Sequence, residues 1–156
     1  MRPIFIFWLM ISCWIHATET NNTIESMAST SNTAVVYDFK HLSHAYENYH
    51  EGVEVAKKTG KNLFVLFISD HCRWCKKLQA TTLLDPQLLQ RLNEEFVVVV
   101  LERDRSEYPS IFKIRGVPTV YMMSNQEKIY VERMGYFKDP KDYTKWFNYV
   151  KIESEL

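Results

Sequence analysis

The chain has 156 residues, 19 basic and 19 acidic side chains, no net formal charge and three cysteines. That length suits one folded domain around one core, and the even charge balance lacks the basic excess that nucleic-acid binding draws on. Three cysteines are too few for a disulfide-stapled scaffold, so their chemistry must lie in their spacing.

Met1-Arg2-Pro3 precedes Ile4 to Ile15, a run almost entirely of Ile, Phe, Trp, Leu and Met. A short basic start and an apolar stretch too short to span a bilayer comfortably predict a secretory signal over 1–17, cleaved after Ala17. Two other readings are an uncleaved anchor, and lipidation at Cys13 behind Met10-Ile11-Ser12, with Met10 where Leu is usual. Removal of 1–17 leaves Cys72 and Cys75 as the only cysteines and a net charge near −1. Residues 18–33 are Thr, Ser, Asn and Glu with little apolar content, a flexible tether. It carries the sequon Asn21-Asn22-Thr23, with Glu19 ahead of it resembling an extended bacterial form.

The folded domain is expected over 34–156. Ala34 to Tyr37 reads as a first short strand. Asn48 with Glu51 three residues on is a capping pattern, and Gly60 is a stop, which predicts a helix from Tyr49 to Thr59. His41, His44 and His50 share no ligand spacing. Asn62 to Ser69 is a continuous apolar run, fitting a strand buried on both faces.

The period then changes. Trp74, Leu78 and Leu83 fall near helical spacing with Lys76, Lys77 and Gln79 left for solvent, so a helix starts at or just before Cys72. A helix N-terminus favours a thiolate, and His71, Arg73, Lys76 and Lys77 add positive charge against Asp70 alone. Cys72 is therefore the candidate nucleophile, and Cys75, one turn later on the same face, the candidate resolving thiol. Half of a zinc site is the competing reading; a closed site needs four ligands, and beyond this pair the chain offers Cys13 and five scattered histidines.

Asp85-Pro86 marks the start of another helix, with Leu88, Leu89 and Leu92 on one side. Phe96 to Leu101 is a second fully apolar strand, and two such strands separated by helix imply a parallel crossover. Glu102 to Arg105 reads as a solvated strand end. A short helix is expected over Tyr108 to Ile114, then Arg115-Gly116-Val117-Pro118-Thr119 leads into a strand over Thr119 to Met123, since a proline that cannot donate belongs at a strand start. Ser124 to Glu127 and then Lys128 to Met134 complete a hairpin. Asp139-Pro140 opens a last helix, with Tyr143, Trp146, Phe147 and Val150 as its core aromatics and aliphatic.

From Tyr46 to Val150 this order resembles the thioredoxin superfamily: helix, strand, Cys-x-x-Cys helix, strand, Gly-Val-Pro-Thr, hairpin and closing helix. Ala56-Lys57-Lys58-Thr59-Gly60-Lys61 together with Cys72-Arg73-Trp74-Cys75-Lys76-Lys77 is similar to exported bacterial thioredoxin-like proteins related to the Dsb electron-transfer domains. The resemblance implies an α/β thioredoxin-like fold with a central mixed sheet flanked by helices. It makes Cys72 the attacking and Cys75 the resolving cysteine, joined as a redox disulfide. It makes Pro118 a cis-proline beside that disulfide, Val117 a backbone partner for an extended substrate, and Gly135 a neighbour of the same groove. Three departures stand out. Leu66 replaces a buried carboxylate thought to help deprotonate the resolving cysteine, His71 replaces a tryptophan, and Arg73-Trp74 replaces Gly-Pro. The charge and bulk at His71 and Arg73 predict a pair more oxidising than ordinary thioredoxins.

The expected protein is thus an exported, periplasmic, monomeric thiol–disulfide oxidoreductase acting on protein substrates, recharged by a membrane electron-transfer partner and needing no cofactor. Two alternatives accompany it: a module holding copper(I) or zinc through the pair and His71, and a resident of the endoplasmic-reticulum lumen, because Glu153-Ser154-Glu155-Leu156 loosely resembles a retrieval tail.

Overall fold

The computed structural model describes residues 41–156 apart from position 43. The expected signal, tether and strand over 34–37 lie outside the described residues.

Helix α1 (Tyr49–Thr59) begins where Asn48 accepts a hydrogen bond from the Glu51 backbone N–H at 3.1 Å, and it ends on Gly60 in the left-handed conformation. Both halves follow from the sequence, since an Asn side chain satisfies an orphan N–H and glycine adopts positive φ without penalty. Strand β2 (Asn62–Ile68) comes next, then α2 (Arg73–Ala80), a single 3₁₀ turn over Thr82–Leu84, α3 (Pro86–Glu95) and β3 (Phe96–Glu102). The chain closes with β4 (Thr119–Met123), β5 (Ile129–Met134) and α4 (Pro140–Ser154). A two-residue strand, β1 (Ala45–Tyr46), precedes α1 and pairs with Val98 and Val99; the sequence reading did not anticipate it.

The five strands form one mixed sheet in the order β1-β3-β2-β4-β5. β2 runs parallel to β3, as the intervening helices require, and antiparallel to β4. β2 is central, so both its faces are covered and its residues alternate between two cores. Phe64, Leu66 and Ile68 join Cys75, Leu78, Leu88, Leu92 and Phe147 on the side of α2, α3 and α4. Leu63, Val65 and Phe67 join Tyr49, Val53, Ala56 and Tyr121 on the side of α1. At Gly52 a Cβ would collide with Val99 Cγ2, so α1 lies on the sheet as closely as it does because glycine stands there. None of the described helices is long and apolar enough to cross a membrane.

Two expectations are corrected. Residues 108–114 form no helix: one turn, closed by the Phe112 N–H on Pro109 O at 3.2 Å, is all that appears. Proline supplies no N–H for a helical ladder, and packing holds the segment instead. Phe112 inserts edge-on against Tyr49 and Tyr121, and the Tyr108 hydroxyl donates to Arg103 O at 2.8 Å. On α2, Trp74 does not share the buried stripe; Cys75 and Leu78 form it, and Trp74 stands 43% exposed.

Candidate active site

The apolar run of the central strand β2 ends at Ile68, and after a short turn α2 starts at Arg73. Cys72 is the N-cap of α2: its backbone is extended, its N–H donates to Ser69 O at 3.0 Å, and its sulfur accepts the Cys75 N–H at 3.0 Å. The sulfur thus occupies the place of the usual capping oxygen, where the unpaired amides and dipole of a helix favour negative charge. Cys75 follows one turn later, fully buried beside Leu66 and Leu78, and is bonded to Cys72 as a disulfide with Cα atoms 5.2 Å apart. Cys72 is only half-buried, so of the two sulfurs it is the one a second molecule can reach.

A second element closes the site from the far side of the chain. The Val117–Pro118 peptide is cis and opens β4, with Pro118 buried and Val117 half-buried against Cys72. The Val117 carbonyl oxygen lies 3.5 Å from Cys72 Sγ. Gly135, with φ of 114° just past β5, donates its N–H to Pro118 O at 2.8 Å and so fixes this loop to the hairpin. Leu66 is 1% exposed, paired with Val100 and Val120, and the buried polar side chains among the described residues are Thr82, Thr119 and Ser124, none of them a carboxylate.

The charges sort differently from their order in the sequence. Asp70 is held by both terminal nitrogens of Arg105, at 2.7 and 3.1 Å, so the one acid beside the cysteines is already neutralised. His71 and Arg73 are exposed, and the Arg73 guanidinium sits over the Trp74 ring, 5.1 Å from its centroid. Trp74 in turn stacks on Tyr136, centroids 5.6 Å apart and planes 19° off parallel, with Lys77 Nζ 5.5 Å from both rings. The Tyr136 hydroxyl meets Thr81 Oγ1 at 3.1 Å. That hydrogen bond, followed by the nearby Lys77 and Lys138, holds the phenol below its ordinary pKa. This stack was not foreseen; helical spacing alone placed Trp74 in the core. Its only sequence signal is Trp74 followed three residues later by Lys77, which puts a cation and a ring on one helical face.

Among the described residues no three His, Cys, Asp or Glu side chains gather as a metal site would require. His41, His44 and His50 are all exposed, and His44 stacks on Tyr46.

Comparison with known proteins agrees with this geometry. The family model described as a thioredoxin-like domain matches residues 49–151. Protein disulfide-isomerases of Zea mays and Hordeum vulgare are each 31% identical over 83 residues, 53% of this chain; the match spans only 15% of each relative's length. Among solved structures, a thioredoxin from Thermus thermophilus superposes with a TM-score of 0.58 at 22% identity, over 72% of this chain and 91% of its own. The oxidised DsbD C-terminal domain of Neisseria meningitidis gives 0.54 at 18% identity, over 67% and 97%, and a DsbH oxidoreductase gives 0.54 at 19%, over 68% and 83%.

Proposed function

The chain belongs to the thioredoxin-like family, and from that premise we propose that it is a thiol–disulfide oxidoreductase that exchanges disulfides with polypeptide substrates outside the cytosol. One observation carries the reading: a half-buried sulfur caps a helix beside the cis-Pro118 loop, and the partner sulfur is bonded to it from a fully buried position.

Each step of the exchange conserves sulfur bonds and electrons. The Cys72 thiolate, supported by the Cys75 N–H, attacks one sulfur of a substrate disulfide; a Cys72–substrate bond forms and the other substrate sulfur leaves as thiolate. Cys75 loses its proton and attacks Cys72 Sγ, closing the ring and releasing the second substrate sulfur, so the substrate gains the two electrons the pair loses. Run in reverse, a substrate dithiol attacks Cys72 of the oxidised pair and leaves as a disulfide. Val117 supports an extended substrate by strand-like backbone pairing, and the cysteines themselves carry the electrons. Export rests on the short basic start and the apolar run of residues 1–17, with the periplasm as the compartment and a membrane protein as the electron partner.

Insulin reduction by dithiothreitol tests the chemistry. Cys72→Ser should abolish the acceleration, while Cys75→Ser should trap a mixed disulfide; an active Cys72→Ser variant overturns the assignment. Equilibration with glutathione then fixes the direction: about −270 mV marks a reductase, and about −120 to −180 mV an oxidant or isomerase. N-terminal sequencing of the protein recovered from a periplasmic fraction tests the export reading.

A further inference from the structure

The sequence leaves a large aromatic, Trp74, uncovered on the helix that carries the reactive sulfur, and the fold answers it from sixty residues away. Tyr136 lies parallel to the indole, and Lys77 reaches both rings. The pairing is fastened at its base. Thr82 Oγ1 donates to Phe137 O at 3.0 Å and lies 3.2 Å from Lys138 O, while Thr81 meets the Tyr136 hydroxyl, so the segment 136–138 is tied to the end of α2. Lys138, two residues after Tyr136, is exposed.

Two cations therefore rest on a ring pair whose Trp74 is exposed and whose Tyr136 is half-buried, with the exposed Lys138 two residues further along the chain. The ion pairs among the described residues use neither Arg73, Lys77 nor Lys138. Asp70 is paired with Arg105, and Asp139 caps α4 by accepting the Lys141 N–H at 2.9 Å. A cation resting on a ring face keeps its charge and loses little more freedom when an anion joins it.

We propose that Arg73 and Lys77, arrayed on the Trp74–Tyr136 stack, together with the exposed Lys138 two residues beyond Tyr136, dock acidic side chains flanking the substrate's reactive cysteine. This deepens the oxidoreductase reading and rests on it. The placement sets the reach. Trp74 is two residues from Cys72, and Tyr136 is joined through Gly135 to the Pro118 carbonyl. Both rings thus border the point where a substrate sulfur must arrive. An extended chain advances about 3.3 Å per residue, so a side chain two or three positions from that sulfur reaches the stack. Carboxylates suit it better than nucleic-acid phosphates, because the chain as a whole has no basic excess.

The test uses three peptides, each holding one cysteine as a mixed disulfide with 2-mercaptoethanol and differing only in flanking residues: Asp, Asn or Lys. Their second-order exchange rates with the reduced full chain are divided by their rates with free 2-mercaptoethanol, which removes each peptide's own reactivity. The Asp peptide should exceed the Lys peptide about tenfold at low ionic strength, and the ratio should fall toward one in about 0.5 M salt, where charges are screened within a few ångströms. In a Lys77→Glu, Lys138→Glu double variant the Asp-to-Lys ratio should invert; being a ratio on one protein, it is insensitive to any change at Cys72. Equal rates with Asp and Lys, or a ratio the double variant leaves intact, overturn the docking proposal. Stronger inhibition by a single-stranded oligonucleotide than by a disulfide-free Asp peptide also overturns it, in favour of nucleic acid. No exchange with any peptide instead overturns the oxidoreductase reading beneath it.

Discussion

Reducing the Cys72–Cys75 disulfide should leave the fold as stable as the oxidised form or slightly more so, by about 1 kcal/mol at pH 7. Opposed contributions set this. Closing so short a ring, over a sequence separation of 3, constrains the unfolded chain by about 2 kcal/mol in the chain-entropy account. Against it stands the reduced Cys72, whose thiolate accepts the Cys75 N–H as a charge-assisted hydrogen bond worth about 1.5–3 kcal/mol. The helix N-terminus adds about 0.3–1 kcal/mol. The Val117 carbonyl, 3.5 Å from the sulfur, works against the thiolate and keeps the surplus small. Urea denaturation of both redox forms, followed by far-UV circular dichroism, measures the difference. It should shrink or reverse in acid, where the thiolate is protonated and the hydrogen bond loses its charge. Because the two folding and two redox equilibria close a cycle, each 1.4 kcal/mol in favour of the reduced form makes the pair about 30 mV more oxidising than in the unfolded chain. An oxidised form more stable by more than about 2 kcal/mol, the bare ring-closure term, would refute the claim that the helix cap stabilises the reduced sulfur.

Other measurements probe the scaffold. Leu78→Ala opens a cavity against Cys75 and Leu66 in a fully buried position, and should cost about 2–5 kcal/mol in urea denaturation. Asp85→Ala removes the side chain that accepts the Leu88 N–H at 2.9 Å; the expected loss is about 1 kcal/mol, with insulin reduction unaffected. The tyrosines should titrate in sequence by ultraviolet difference absorbance. Tyr136 comes early and is absent from the Tyr136→Phe curve. Tyr121, pushed up to about 12 chiefly by burial and then by Glu132, comes late. Tyr143, raised by burial and then by Asp142, and Tyr49, raised by burial and its bond to Glu127, come later still. These raised groups hold their protons more tightly folded than unfolded, so their contribution is full below about pH 10, the ordinary tyrosine value, and stability falls as the pH rises beyond it. A Tm that stays flat from about pH 9 to 11.5 would contradict that ordering.

Most of the scaffold was legible because its signals are local. Asn48 and Gly60 bound α1, Asp85-Pro86 and Asp139-Pro140 open α3 and α4, and the runs around Phe64 and Val98 are the two strands buried on both faces. The failures are places where distant packing decided. Residues 108–114 carry helix-compatible spacing, yet Phe112 is drawn into a ring cluster with Tyr49, Phe67 and Tyr121, partners spread over half the domain. Trp74 has the spacing of a core residue, but the segment 136–138 supplies a partner outside the core. Asp70 looked like the lone acid beside the cysteines, and only the fold brings Arg105 across to it.

The two sulfurs owe their different characters to different parts of the chain. Cys72 is set by local chemistry: an N-cap geometry that any residue with an acceptor could occupy, with cations next to it in sequence. Cys75 is set by long-range packing, because Leu66 from β2 and Leu78 from its own helix wall it off and no buried carboxylate stands among the described residues to take its proton. On the proposed reading, attack on a substrate would draw on the Cys72 sulfur, already placed at the helix cap, and resolution of the mixed disulfide on the fully buried Cys75. Attack would thus be prepared by the protein, while release would wait on a proton acceptor that the described residues do not bury beside it.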